Sequence, residues 1–190
     1  MVGANGVNPI LRSLQAGRPT LKLHLIGHSF GGRLVTAAVA GASEATLLRV
    51  QTLCLLQAAF SHYGLAEKWD GTNDGFFYRV VSARAVAGPT IITCTANDKA
   101  VGLAYPIASL MAGQVAAGIG DKNDKYGGIG RNGAQNTPRT VDLSLLDATG
   151  AYQLTSGMFH NLSTDRLITS HGDVANKAVA YAVASAIAVT

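Results

Sequence analysis

The segment Gly27-His28-Ser29-Phe30-Gly31 constrains this chain more than any other, because of what flanks it. Upstream, residues 20–27 (TLKLHLIG) carry Leu21, Leu23, Leu25 and Ile26 in a short apolar stretch that reads as a buried strand of the parallel-sheet kind. Downstream, residues 33–42 (RLVTAAVAGA) are rich in strong helix formers, with Leu34, Val35, Ala38 and Val39 on one side. A glycine-flanked serine that ends a strand and opens a helix must sit in a sharp, strained turn, which is the context the pattern G-x-S-x-G requires. Such a turn lifts the Ser29 hydroxyl above the carboxyl edge of the sheet. The helix that begins there adds a partial positive charge and free N–H groups. On this reading a side chain at Gly27 or Gly31 would collide with the neighbouring strand and helix. The competing reading is a Gly-Ser turn in an ordinary βα unit.

The alternation of strand and helix recurs along the chain. Residues 9–14 predict a short helix, with Asn8 as its cap and Pro9 at its first position. Residues 50–56 (VQTLCLL) and 90–95 (TIITCT) read as two further strands. Between them lie a turn-rich connection at 70–75 and a segment, 76–87, that begins as helix and is punctuated by Gly88-Pro89. A helix is expected at 103–117, strands at 141–146 and 158–162, and an Ala-rich terminal helix at 174–189. Residues 118–138, with six glycines among Asp, Asn and Lys, read as a long polar loop, either a rim over a site or a tolerated insertion. This order predicts one α/β domain over 1–190, with a mostly parallel sheet flanked by helices.

Composition closes off other classes. Apolar residues make up 48% of the 190 and charged residues 14%, which is globular rather than disordered. The net charge of +4 comes from Lys and Arg scattered singly between Arg12 and Lys177, with no cluster or aromatic platform to hold nucleic acid. No apolar run approaches the roughly 20 residues that span a bilayer. The start lacks a basic, then apolar, leader, so the expectation is a cytoplasmic protein, with an exported form open if an upstream segment is missing. Cys54 and Cys94 each sit in an apolar run and read as buried thiols, with a single bridge between adjacent strands as the alternative. The histidines lack metal-ligand spacing, so neither metal nor cofactor is expected.

A serine nucleophile needs a base and an orienting acid, which in this architecture follow it in the order Ser, acid, His. Asp98 comes three residues after the 90–95 strand, on the same rim as the turn. Asp70 and Asp74 lie in a turn-forming cluster, Asp121 and Asp124 in the glycine-rich stretch, and Asp142 and Asp147 beyond it. Among the histidines, His24 is within a strand, His62 precedes Asp98, and His28 is expected to point away from Ser29. The base is therefore His160, in a strand interior, or His171, in a loop before the last helix, and a loop position on the rim favours His171.

These residues resemble the α/β-hydrolase superfamily, and within it serine-esterase-like bacterial proteins whose central stretch reads close to LHLIGHSFGGRLVTAA. The likeness is strongest at 20–39, at 88–107 and around Ser170-His171-Gly172-Asp173. It implies Ser29 as nucleophile, Asp98 as acid, His171 as base and the Phe30 N–H as one oxyanion donor. It also implies a carboxylic-ester hydrolase working through an acyl-enzyme, with a small-molecule ester as substrate. Thioesterase, lipase and amidase are the neighbouring activities, and a non-catalytic interaction module is the rival of another class. Chain position suggests an apolar pocket bounded by Phe30, Phe60, Tyr63, Tyr105 and Phe159. The resemblance also implies several strands ahead of the serine strand, and a second oxyanion donor from a loop among them, which residues 1–19 do not supply. Either the chain is the C-terminal part of a longer protein or it is an N-terminally shortened hydrolase that recruits a donor elsewhere. The exposed edge left at residues 20–26 predicts self-association.

Overall fold

The computed structural model describes residues 1–101 and 126–190. The helix expected at 103–117, Tyr105, Asp121, Asp124 and the first part of the glycine-rich stretch lie outside the described residues. Five strands form one all-parallel sheet: β1 (His24–His28), β2 (Thr52–Leu56), β3 (Thr90–Cys94), β4 (Thr140–Ser144) and β5 (Phe159–Ser163), in the order β1-β2-β3-β5-β4. The helices are α1 (Asn8–Gly17), α2 (Phe30–Ala40), α3 (Tyr78–Ser82), α4 (Ile129–Asn132) and α5 (Lys177–Ala188). No helix among the described residues is long and apolar enough to cross a membrane.

Strand β2 shows why the sheet is covered on both faces. All five of its residues are buried, and successive side chains point to opposite sides. Leu53 and Leu55 join a core with Ala37 and Val39 of α2, Val80 and Val81 of α3, and Phe77. Cys54 and Leu56 join the opposite core, closed by Ala178, Val179, Ala182 and Ala186 of α5. Each fully buried leucine contributes on the order of 1.5–3 kcal/mol. Cys54 and Cys94 are not joined in a disulfide, so the alternative of a bridge is not realised. Burial pushes the Cys54 thiol up to about 12, against a weaker pull from Thr52.

Three local expectations are corrected. Asn8 is not a helix cap: it is helical and 1% exposed, and the chain enters α1 through a π-helical turn at Gly3–Val7. Its amide instead donates to the carbonyls of Ala38 (2.7 Å) and Thr46 (2.8 Å), joining the first helix to the end of α2. The helical start expected over 76–87 is one short helix, Tyr78–Ser82, closed where Arg84 takes a left-handed φ of 47°. The described part of the glycine-rich stretch is not a polar rim loop. Ile129 is 0% exposed, and this segment packs against the ends of β2 and β3. Its backbone bonds there run from Ile129 N to Phe60 O (2.9 Å), Gly130 N to Ala58 O (3.1 Å) and Thr95 N to Gly130 O (3.1 Å). A Cβ at Gly130 would lie 2.5 Å from the Gln57 carbonyl carbon, so glycine here permits backbone against backbone.

Strand β1 lies at one edge of the sheet and pairs only with β2 among the described residues. Because every strand is parallel, the loops after β1, β2, β3 and β5 leave from the same carboxyl edge, where open α/β sheets hold their sites.

Candidate active site

Ser29 stands between the last residue of β1 and the first of α2, at φ 55° and ψ −126°. A non-glycine residue in such a conformation carries on the order of 1–3 kcal/mol of strain and persists only when its surroundings hold it. They do. The Ser29 N–H donates to Leu56 O (3.1 Å), and its carbonyl accepts from Gly32 N (3.0 Å) and Ala59 N (2.9 Å). The turn is tight enough that a Cβ at Gly27 would fall 2.4 Å from the Gly31 carbonyl oxygen. At Gly32 it would fall 2.4 Å from the Ala58 Cβ. Gly31 differs from expectation: a Cβ there meets nothing within 4 Å. The glycines required by contact are therefore Gly27 and Gly32.

The loop after β5 brings His171 over this turn. Its Nε2 lies 2.9 Å from Ser29 Oγ, and its Nδ1 lies 2.8 Å from Asp98 Oδ2. With the Nδ1 proton directed to Asp98, Nε2 presents its lone pair to the Ser29 hydroxyl. Asp98 is 0% exposed, and a buried carboxylate needs donors. Among the described residues it has three: His171 Nδ1, Val101 N to Oδ1 (2.8 Å) and Gln57 Nε2 to Oδ2 (3.3 Å). Asp98 and His171 are 73 positions apart in the chain and Ser29 and His171 142 apart, and the parallel sheet brings their loops to one edge.

The base loop is fixed from several sides. Gln57, buried just past β2 with φ 43°, donates to the Ser170 carbonyl (3.1 Å) as well as to Asp98. Asn97 Nδ2 donates to Ile168 O (2.8 Å), and Asp173 Oδ2 accepts from Thr169 N (3.0 Å). That bond is the main reason the Asp173 carboxyl lies below its ordinary value. His28 does not point out of the site. Its Nε2 lies 2.9 Å from the His171 carbonyl oxygen, and its ring sits 4.8 Å from that of His171. Sequence reasoning missed Gln57 and Asn97; the available signal was a polar side chain at the carboxyl end of a buried strand.

The other candidates fall elsewhere. His160 is 0% exposed, with Nδ1 3.1 Å from Thr90 O and Nε2 accepting from Thr155 N (3.1 Å), a buried structural histidine. Burial lowers its pKa from the ordinary 6.5, against a smaller raising effect of the Thr90 carbonyl. His24 bonds Thr52 Oγ1 (2.9 Å), and His62 is buried with Nδ1 3.1 Å from Asn132 Nδ2. Asp70 caps its own turn, and its bonds from Asn73 hold the carboxyl down at about 2. Asp74 accepts from Lys68 N, Asp142 accepts from Asn161 Nδ2, and Asp147 is exposed. Of the expected pocket residues, Phe60 and Phe159 are closed into the core at 2% and 3% exposure and offer no surface to a ligand. Tyr63 is half-buried, and Phe30 is 68% exposed beside Ser29, with its N–H in the unpaired first turn of α2.

Among the described residues no group of three or more His, Cys, Asp or Glu is arranged to hold a metal ion. Comparison of the chain with protein-family profiles, with curated proteins and with solved structures finds no match to any of them.

Proposed function

We propose that this chain is an α/β-hydrolase-like serine hydrolase that cleaves carboxylic esters through an acyl-enzyme on Ser29. One observation carries the reading: the hydrogen-bonded series Asp98 Oδ2, His171 Nδ1, His171 Nε2, Ser29 Oγ, at 2.8 and 2.9 Å, on a strained turn at a helix N-terminus. His171 Nε2 takes the Ser29 proton as Oγ bonds to the ester carbonyl carbon. The negative charge that develops on the carbonyl oxygen is met by the Phe30 N–H and the positive end of α2. Asp98 holds the imidazolium, which returns its proton to the leaving alkoxide as the C–O bond breaks. Water then repeats the sequence and frees the acid.

A fluorophosphonate probe tests this directly. Labelling of the wild type should vanish in Ser29→Ala, and absence of labelling on folded wild type would refute the proposal. The same groups serve thioesters and activated amides, so a panel of p-nitrophenyl esters, thioesters and anilides ranks the leaving groups.

A further inference from the structure

Residues 61–76, which follow β2, fold back on themselves and, with Tyr126, line an open cavity of about 350 Å³. Its walls are aromatic, formed by Tyr63, Trp69, Phe76 and Tyr126, and Ser61 also lines it. We propose that this cavity binds a planar, uncharged aromatic group, as the recognition subsite for the ester substrate. The assignment rests on the reading of Ser29 as nucleophile.

The walls are built in advance of any ligand. The Tyr63 and Trp69 rings stack at 5.5 Å with 26° between their planes, and His62 backs Tyr63 edge-on at 4.1 Å. His62 is itself buried and bonded to Asn132, so Tyr63 rests on the core. The loop that carries Trp69 is closed by Trp69 N to Asn73 O (2.8 Å) and by Asp70 Oδ1, which accepts from Thr72 N (3.0 Å) and Asn73 N (2.7 Å). Gly75 lets this loop close: a Cβ there would fall 2.1 Å from the Tyr63 carbonyl oxygen. Phe76, 74% exposed, stands edge-on to the buried Phe77 at 5.1 Å, with most of its ring left to solvent. Rings fixed beforehand lose little conformational entropy when a ligand arrives.

Chemistry narrows the occupant. Aromatic faces pair best with another ring, offset or edge-on. A cation would gain from the same faces, but among the described lining residues there is no carboxylate to neutralise it. A sugar ring would call for several hydrogen-bonding groups, whereas the described lining is dominated by aromatic rings. The location suits a substrate site. Ala59 N bonds to the Ser29 carbonyl, and Ser61 lies two residues further on, within about 7 Å of Ala59. The cavity is therefore lined in part by the same segment that braces the nucleophile turn.

Trp69 is the sole tryptophan of the chain, so its emission reports this cavity directly. Folded Ser29→Ala protein would be titrated with phenyl acetate, ethyl acetate and an acetylated methyl glucoside. The expected result is a saturable change with phenyl acetate alone, and a dissociation constant raised about fivefold or more in Ser29→Ala/Phe76→Ala, which removes an exposed ring. On the wild-type background, Phe76→Ala should raise KM for phenyl acetate by a similar factor, and by several times more than it changes KM for ethyl acetate. Equal responses to the aliphatic or sugar ester, or an equal effect of Phe76→Ala on both substrates, would overturn the assignment. Saturable phenyl acetate binding by a wild type that hydrolyses no ester would instead refute the Ser29 reading and leave the cavity's ligand class standing.

Discussion

Replacing Gly31 by alanine separates what a sequence motif demands from what contact demands. The pattern G-x-S-x-G gives Gly27 and Gly31 equal weight, yet an added Cβ meets nothing within 4 Å at Gly31 and backbone at 2.4 Å at Gly27. Gly31 lies in the first turn of α2 with no left-handed φ, so alanine fits its conformation. Alanine there lowers the entropy of the unfolded chain and favours the helix, worth about 0.4–1 kcal/mol. For a chain of this size that raises Tm by roughly 1–4 °C. Gly32→Ala is the matched control, because its Cβ falls 2.4 Å from the Ala58 Cβ and 3.2 Å from the Ala58 Cα. Relief requires α2 to move off the chain after β2, at a cost of about 1–3 kcal/mol, or a fall of several degrees. Both variants would be followed by thermal and urea unfolding monitored by circular dichroism. A Gly31→Ala that unfolds as early as Gly32→Ala would refute the contact argument.

Other perturbations probe the chemistry and its supports. Asp98→Asn offers His171 Nδ1 an N–H in place of an acceptor, turning a proton toward Ser29. We expect kcat for p-nitrophenyl acetate to fall about 10³–10⁴-fold, and a loss under tenfold would contradict the assigned tautomer. Gln57→Met keeps the buried volume but removes two donors, one to a carboxylate. A loss of about 1.5–3 kcal/mol in alignment predicts a kcat/KM lower by about ten- to a hundredfold, with labelling of Ser29 slowed but retained. His160 sets a pH dependence of stability. Its folded pKa is lowered by burial, so below the ordinary 6.5 the unfolded chain takes up a proton that the folded chain refuses. Stability is therefore full above that value and declines as pH falls toward the lowered one. The Tm of the wild type should drop more between pH 7.5 and 5.5 than that of His160→Gln, and parallel profiles would assign the effect elsewhere.

The sequence by itself determined the parts whose signal is local. A short apolar run ended by glycine and followed at once by helix formers places Ser29 at a strand-to-helix turn, as found between β1 and α2. The apolar and β-branched runs at β2 and β3 announce strands buried on both faces, and hence a parallel sheet with its loops on one edge. That edge is why Asp98, three residues past an apolar run, was legible as a rim carboxylate. His171 was separable from His160 only as far as a loop position differs from a strand interior.

What only the tertiary structure decided is every relation that spans the chain. The bond from Ser29 to His171 closes 142 residues, and no periodicity encodes it; it follows from β5 lying beside β3, an order set by packing. Gln57 is an ordinary polar residue until β2 ends beside the loop after β5, when one amide reaches both Asp98 and Ser170. Asn8 has the local chemistry of a helix cap but is drawn inward because two carbonyls from 30 and 38 residues away need a donor. The same distinction applies to the opening turn. Its glycines were visible as letters, but while the turn itself requires Gly27, the need for Gly32 depends on where Ala58, far along the chain, comes to rest.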